Sequence, residues 1–395
     1  MRPFPRLMVA VLLMSSAACE KKSAPASAPS PTPAAASTGG PAAEGPILLG
    51  QVGSLTGSEA TFGQSAKHGI AMAVREANAA GGVKGRPLAV RVYDSQGRPE
   101  EAAQAAMRLI NQDKVVVVLG EAASSNSLAM ADKAQAAGVP MITPTSTHPD
   151  VTRKGDYIFR VCFIDSFQGG VMAKFARDTL QFERVAVLQD NKSAFSVGLA
   201  DTFREAFVAR GGQVPATESY SKGDTDFRAQ LTTFKKLKPQ ALFVPGYYTD
   251  VALIARQARE LGLAVPLLGG DGWESDRLFE LSGGALEGGY YVNHYSVDNP
   301  DPRTQDFITR YKAEWKEAPD SVAALAYDAA RLAIDAIGRA PDLSGRAVRD
   351  ALAATRDFPG VGGTINLDAH RDAVKEAVIL KVEGETRRFV TTVKP

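Results

Sequence analysis

Hydroxyl side chains follow two short apolar runs of the chain, where they could bind an anion. Ser124 follows one run, and Thr145, Ser146 and Thr147 follow another. Small hydroxyl residues at the start of a helix bond to free backbone N–H groups, and the two kinds of donor together form a site for a carboxylate. The alternatives are an ordinary helix cap for Ser124 and a solvated, proline-bounded turn for the other three residues.

One acidic and four aromatic side chains could complete such a site. Asp271 and Trp273 follow a third apolar run, and Tyr247 follows a fourth. A carboxylate pairs with an ammonium through a charge-assisted bond that gains strength in a desolvated cleft. The aromatic rings of Tyr247 and Trp273, with those of Phe62 and Phe195, could surround an apolar side chain. Taken singly, Asp271 is typical of a turn, and the aromatic residues are typical of a packed core.

Short apolar runs alternate with amphipathic stretches, and this alternation must position these residues. The apolar runs lie at 47–53, 88–93, 115–120, 140–143, 185–190, 241–245, 267–269 and 288–295. The stretches with helical periodicity lie at 64–79, 100–111, 127–137, 197–209, 250–261, 302–316 and 321–338. This order predicts an α/β fold with mostly parallel sheets flanked by helices. The run 115–119 is apolar on both faces, as a strand covered on both sides requires.

The number of strands predicts two sheets in two lobes. About five strands fit before residue 160, and a further set begins at residue 184. A single sheet of that width would be unusual. Residues 373–393 are typical of two strands joined by a turn at 383–385. Ligands of open α/β sheets bind at the carboxyl ends of the strands, which is where the candidate residues lie.

The N-terminus is typical of an exported protein. Arg2 and Arg6 precede a short apolar run and small residues before Cys19. We expect residues 1–19 to be a lipoprotein signal peptide with lipidation at Cys19, and plain secretion is the alternative. Residues 20–46 consist mainly of Ala, Pro, Ser and Gly, which predicts a disordered linker.

Composition and motifs argue against several classes of function. The chain has 395 residues and a formal net charge of +1, so bulk charge gives no reason to expect nucleic acid binding. The four histidines are scattered and no CxxC or HExxH pattern occurs, so we expect no metal. No dinucleotide-binding, P-loop or GxSxG pattern occurs either, so we expect no cofactor and no enzymatic activity.

Several short motifs, taken in order, carry a family resemblance. They are GIAMA at 69–73, NAAGGVKG at 78–85, VYD at 92–94, MITPTST at 141–147, FR at 159–160, DSFQG at 165–169, RQARELG at 256–262 and AYDAA at 326–330. With these motifs, residues 47–395 resemble the periplasmic leucine/isoleucine/valine-binding protein family. Its members are the type I substrate-binding proteins of branched-chain amino-acid ABC transporters.

The resemblance implies a two-lobe, Venus-flytrap periplasmic-binding-protein type I fold. The lobes it implies are 47–163 with 294–365 and 164–293 with 366–395, joined by three crossovers.

The resemblance also implies a role for several residues. Ser124 matches a position that binds the ligand carboxylate, and Thr145 and Thr147 match positions that hold the ammonium and the carboxylate. Asp271 matches a carboxylate placed against the ammonium, although leucine-binding members have a longer Glu there. Phe62, Phe195 and Tyr247 match aromatic positions, whereas Trp273 would reshape the pocket.

The predicted function is therefore capture of an amino acid, branched-chain or related, between two closing lobes, without chemistry. Its partners would be that ligand, a membrane permease of an ABC transporter, and the membrane through the lipid anchor. We expect a monomer in the periplasm or at the cell surface. The alternatives are a ligand-sensing module, an enzyme, and a binder of an amide, a short-chain acid or an aromatic acid.

Overall fold

The computed structural model describes residues 45–395. The predicted signal peptide, Cys19 and most of the predicted linker lie outside these residues. The strands are β1 (Ile47–Gly53), β2 (Leu88–Asp94), β3 (Val117–Leu119), β4 (Met141–Thr143), β5 (Ile158–Arg160), β6 (Val185–Asp190), β7 (Thr217–Tyr220), β8 (Ala241–Phe243), β9 (Leu267–Gly269), β10 (Tyr290–Asn293), β11 (Phe358–Gly360), β12 (Gly363–Leu367), β13 (Ala373–Val374), β14 (Ala377–Glu383) and β15 (Thr386–Val393).

The helices alternate with the strands through most of this region. They are α1 (Ala60–Ala79), α2 (Pro99–Arg108), α3 (Ser124–Ala137), α4 (Asp150–Arg153), α5 (Asp165–Lys174), α6 (Ala194–Ala209), α7 (Arg228–Leu237), α8 (Tyr248–Glu260), α9 (Arg277–Ser282), α10 (Pro302–Trp315), α11 (Ser321–Arg339) and α12 (Gly345–Ala353). Short π-helical turns extend α2 and α5, and a 3₁₀ turn covers Asp271–Trp273. None of the helices in residues 45–395 is long and apolar enough to span a bilayer.

Two large sheets form the cores of two lobes. The first sheet has the order β2-β1-β3-β4-β5 and is parallel throughout, and we call the body around it lobe 1. The second has the order β15-β14-β10-β9-β8-β6-β7, and we call the body around it lobe 2. Only β14 and β15 run antiparallel to their neighbours in this sheet, so the predicted α/β class with mostly parallel sheets is confirmed. All three residues of β3 are buried, as its two apolar faces predict.

Glycines allow close helix packing in each lobe. Helix α11 packs along α1, and a Cβ at Gly69 would collide with the Ala323 carbonyl. Helix α5 packs on α6, where a Cβ at Gly169 would collide with the Thr202 side chain. Glycine, which has no Cβ, is therefore the residue that lets these backbones approach. Through α1, the late helix α11 belongs to lobe 1 although it follows five of the strands of lobe 2, β6 to β10.

Several helices begin earlier than the sequence periodicity predicts. Helix α1 begins at Ala60 rather than 64, α3 at Ser124 rather than 127, and α6 at Ala194 rather than 197. The first turns of these helices border the space between the lobes, so they carry hydroxyl and glycine residues instead of an apolar stripe. Periodicity reports the face that packs on a sheet and misses a turn that faces a cleft.

A buried ion pair joins the end of β5 to a segment far along the chain. Arg160 is fully buried, and its Nε lies 2.6 Å from Asp372 Oδ1. The guanidinium also donates to the carbonyl oxygens of Ser146 at 2.5 Å and His148 at 2.8 Å. Arg160 therefore holds the loop that follows β4, where three of the predicted site residues lie.

We predict that Asp372→Ala destabilises the protein by about 3–5 kcal/mol, because it leaves the Arg160 guanidinium buried without its counter-ion. The matched control is Asp335→Ala, which breaks an Asp–Arg pair on the exposed surface of α11 and should cost less than about 1 kcal/mol. Urea unfolding followed by circular dichroism measures both changes. Equal losses in the two variants would contradict the role given to the buried pair.

Candidate functional site

A cavity of about 330 Å³ lies between the lobes, at the carboxyl ends of strands from both sheets. The lining residues are Phe62, Ala122, Ser124, Thr145, Phe195, Tyr247, Asp271, Gly272, Ser321 and Val322. Six of the nine predicted ligand-binding residues are among them: Phe62, Ser124, Thr145, Phe195, Tyr247 and Asp271. That these six bind a ligand stays a prediction.

Lobe 1 presents the start of helix α3 to the cavity. The helix begins at Ser124 after Ala123, and no side chain caps it. The first N–H groups of a helix have no partner inside the helix, so an uncapped start attracts an anion. The Ser124 hydroxyl accepts a hydrogen bond from His148 N–H at 3.2 Å, which leaves its own O–H free to donate. This end of the cavity can therefore hold a carboxylate.

Hydrogen bonds to the buried Glu121 fix the loop before α3. Its Oε1 accepts from the hydroxyls of Ser54 and Ser95, each at 2.7 Å, and its Oε2 accepts from Ala123 N–H at 2.8 Å. The Glu121 carbonyl accepts from the Ser146 hydroxyl at 2.9 Å. Ser146, predicted to bind ligand, does not line the cavity. Its hydroxyl instead supports the loop that carries Ser124.

Lobe 2 presents the Asp271 carboxylate to the opposite end of the cavity. Its Oδ2 lies 3.0 Å from His294 Nε2, and its Oδ1 has no hydrogen-bond partner among residues 45–395. The side chain is only 8% exposed. Burial lowers the pKa of His294, although its hydrogen bond to Asp271 opposes that change. A neutral His294 therefore donates from Nε2 to one carboxylate oxygen, and the other oxygen can accept from a further donor.

Three aromatic rings, those of Phe62, Phe195 and Tyr247, also line the cavity, and we call them the aromatic wall. Phe195 stacks on Tyr247, with ring centroids 5.2 Å apart and an angle of 18° between the ring planes. Phe62 meets Tyr247 edge-on at 5.8 Å and 73°. Phe195 and Tyr247 belong to lobe 2 and Phe62 to lobe 1, so the apolar wall is complete only when the lobes are together.

Two further predicted residues lie behind the cavity surface. Trp273 is fully buried, and its Nε1–H donates to the Val244 carbonyl at 2.9 Å. It packs on Tyr291 in the core of lobe 2 and does not line the cavity. Thr147 is also fully buried, and its carbonyl accepts from Asp165 N–H at 3.0 Å. A direct contact of either side chain with a ligand stays a prediction.

Sequence reasoning missed several residues of this region. Ser321 and Val322 line the cavity from the start of α11, and the Ser321 N–H donates to Glu274 of lobe 2 at 3.1 Å. Asp165 and His294 lie behind Asp271. Burial raises the pKa of the Asp165 carboxyl to about 8, the neighbouring Thr147 hydroxyl lowers it, and the charge of Asp271 raises it further. The one sequence signal that could have indicated Asp165 and His294 is that both are polar residues beside the predicted boundaries between the lobes.

Polar contacts connect the lobes beside the cavity. Lys222 of lobe 2 lies 2.5 Å from the buried Glu59 of lobe 1 and donates to the Gly97 carbonyl at 2.9 Å. The Ser125 hydroxyl accepts from Ala194 N–H at 3.0 Å. These bonds join the starts of α1, α2 and α3 in lobe 1 to the β7–α7 loop and the start of α6 in lobe 2, so they belong to the arrangement in which the lobes are together.

No group of three or more metal-ligating side chains occurs in residues 45–395. Cys162 is buried and unpaired in this part of the chain. Burial raises the pKa of its thiol to about 12, so it is not a nucleophile at neutral pH.

Comparisons with known proteins match this architecture. The sequence profile of the family described as periplasmic binding protein matches residues 46–386. The leucine-, isoleucine-, valine-, threonine-, and alanine-binding protein of Pseudomonas aeruginosa is 30% identical over 327 residues, which cover 82% of this chain and 87% of that protein.

Two solved structures extend the comparison. A leucine-binding protein of Thermotoga maritima has a TM-score of 0.85 at 37% identity, over 88% of this chain and 99% of that one. A branched-chain amino acid transporter substrate-binding protein of Streptococcus pneumoniae, solved with isoleucine, has a TM-score of 0.84 at 34% identity, over 89% and 100%. These likenesses confirm the predicted two-lobe fold.

We predict that Asp165→Asn makes the protein more stable than the wild type at high pH but not at low pH. Because the folded-state pKa of Asp165 is about 8 and that of a free Asp is about 3.9, the folded chain binds a proton that the unfolded chain releases. That contribution to stability is full below about pH 4 and is lost as the pH rises through about 8. Asn cannot titrate.

Urea unfolding of both proteins at about pH 5 and pH 8.5 checks this. The free energy of unfolding of Asp165→Asn, relative to the wild type, should rise from the lower to the higher pH. A relative stability that does not change with pH would show that the Asp165 carboxyl does not titrate with a raised pKa.

Proposed function

Because the chain belongs to the family of periplasmic binding proteins, we propose that it is the solute-binding protein of an ABC transporter for a branched-chain or related amino acid. The observation that carries this proposal is that the two lobes bring complementary polar groups to one cavity. Lobe 1 brings the uncapped start of α3, and lobe 2 brings the unpaired oxygen of Asp271. A zwitterion with an apolar side chain matches both ends and the aromatic wall.

The names of the relatives support the same ligand class. The relative from P. aeruginosa is named for leucine, isoleucine, valine, threonine and alanine, and that from S. pneumoniae was solved with isoleucine. In the proposed site, Ser124 and Thr145 hold the carboxylate, Asp271 holds the ammonium, and Phe62, Phe195 and Tyr247 enclose the side chain.

Closure of the lobes is the proposed mechanism of capture. Ser124 and Thr145 belong to lobe 1, whereas Asp271, Tyr247 and Phe195 belong to lobe 2. A ligand stabilises the closed arrangement only by contacts that it makes better there. Pairing with Asp271 is such a contact, because closure buries that carboxylate and a ligand ammonium then gives its free oxygen a charge-assisted hydrogen bond. We propose the bounds 47–163 with 294–365 and 164–293 with 366–395 for the closing lobes.

The proposed setting is outside the cytoplasm. A signal peptide with a lipid at Cys19, or plain secretion, would place the lobes in the periplasm or at the cell surface. The closed form would dock as a monomer on a membrane permease and release the ligand unchanged, with no enzymatic step.

The cavity argues against one group of alternative ligands. A short-chain or aromatic acid brings a carboxylate but no cation, so it would leave the free oxygen of Asp271 buried and unpaired. An amide can donate an N–H to that oxygen, but it brings no carboxylate to the start of α3. A sensing role would use the same cavity and differs only in the partner that recognises the closed lobes.

We predict that L-leucine, L-isoleucine and L-valine raise the melting temperature, since binding stabilises the folded state. Two analogues of leucine each lack one of its charged groups: 4-methylpentanoate has no ammonium, and 3-methylbutylamine has no carboxylate. Neither should bind appreciably. Thermal shift followed by isothermal calorimetry measures these affinities. Tight binding of 4-methylpentanoate, or of benzoate, with none of the amino acids would overturn the proposed ligand class.

We predict that Asp271→Ala costs about 1–3 kcal/mol of leucine affinity, because it removes the partner of a buried ammonium. The control is Asp226→Ala, which removes an exposed carboxylate that pairs with Arg228 outside the cavity, and its affinity should equal that of the wild type. Calorimetry with leucine compares the three proteins. Unchanged affinity in Asp271→Ala would remove Asp271 from the site.

A further inference from the structure

A second and larger cavity lies beyond the aromatic wall, also between the lobes. Its space measures about 780 Å³ with the open solvent at its mouth included, and Tyr247 is the one residue that lines both this outer cavity and the inner one described above. Polar residues of both lobes line the outer cavity, among them Arg98, Asn126, Asp190, Lys192 and Lys222. The Tyr247 ring therefore separates the inner cavity, which aromatic rings line, from the outer cavity, which polar residues line.

The Tyr247 ring is held on three sides. Phe195 stacks on one face and Phe62 meets it edge-on. Behind it, a Cβ at Gly272 would lie 3.1 Å from Tyr247 Cδ1, so the backbone of that turn leaves the ring no space to swing away. A ring packed in this way is a fixed wall and not a mobile lid.

The outer cavity has the chemistry of a site for an anionic group. Arg98, Lys192 and Lys222 line it together with Asp190. Lys222 is paired with Glu59 and Arg98 with Glu101, so Lys192 is the one of these three cations that has no ion pair among residues 45–395. Asn126 is 1% exposed, and its amide nitrogen has no hydrogen-bond partner among residues 45–395. A buried donor without a partner requires an acceptor, which a carboxylate would supply.

We infer that Tyr247 sets the upper length of the ligand side chain by closing the inner cavity to the outer one. The inference rests on the proposed function, since it assumes an amino acid held by Asp271 and Ser124. A short, branched side chain ends at the ring. A side chain long enough to pass it, such as that of 2-aminoadipate, would bring its distal carboxylate to Lys192 and Asn126, but the ring excludes it. Tyr247 is thus a specificity-determining residue.

The test is calorimetry of leucine and 2-aminoadipate with the wild type and Tyr247→Ala. The wild type should bind leucine and not 2-aminoadipate. Tyr247→Ala should bind leucine about tenfold more weakly or worse, because a buried aromatic contact is lost, and should gain measurable affinity for 2-aminoadipate. Adding Lys192→Ala to Tyr247→Ala should remove that gain. If Tyr247→Ala does not fold, Tyr247→Leu tests the same opening with a smaller change in packing.

The control is Val322→Ala, which enlarges the inner cavity at a residue that does not line the outer one. An equal gain of 2-aminoadipate binding in this control would overturn the inference, since any enlargement would then suffice. If the wild type binds leucine and Tyr247→Ala gains nothing, the inference fails while the proposed function stands. If the wild type binds no amino acid at all, both fail together.

Discussion

A buried carboxylate with one free oxygen is the constraint on which the site depends. His294 satisfies one oxygen of Asp271, and no residue in the described part of the chain satisfies the other. Burying a charge without a partner costs several kcal/mol, so in the proposed function a ligand ammonium that pairs with Asp271 would stabilise the closed lobes. The proposed preference for a ligand with an ammonium and the proposed closing of the lobes thus depend on the same carboxylate.

The rest of the fold holds two small groups in place at opposite ends of a cavity. On one side Glu121 and Arg160 fix the backbone of the loops around Ser124. On the other side Gln168 accepts a hydrogen bond from Asp271 N–H at 2.7 Å. Each group lies on a loop at the end of a buried strand, and such a scaffold permits binding loops to be precise. The aromatic rings between them then limit what side chain fits.

The sequence was enough to predict the class of fold and most of the lining of the cavity, because strand ends can be located along the chain. Ser124 and Asp271 were found in this way. Ser321 and His294 were not, since their approach to the cavity depends on how the chain crosses between lobes, which local patterns do not report. Trp273 shows the other limit: it lies two residues from Asp271, but its indole bonds to Val244 in the core. The direction of a side chain within a tight turn is decided by packing.

A crystal structure of the protein with bound L-leucine tests the central claim most directly. The account predicts the ammonium nitrogen within about 3.2 Å of Asp271 Oδ1, with the carboxylate against Ser124 at the start of α3. A ligand that turns its ammonium away from Asp271 and its carboxylate away from α3 would contradict it.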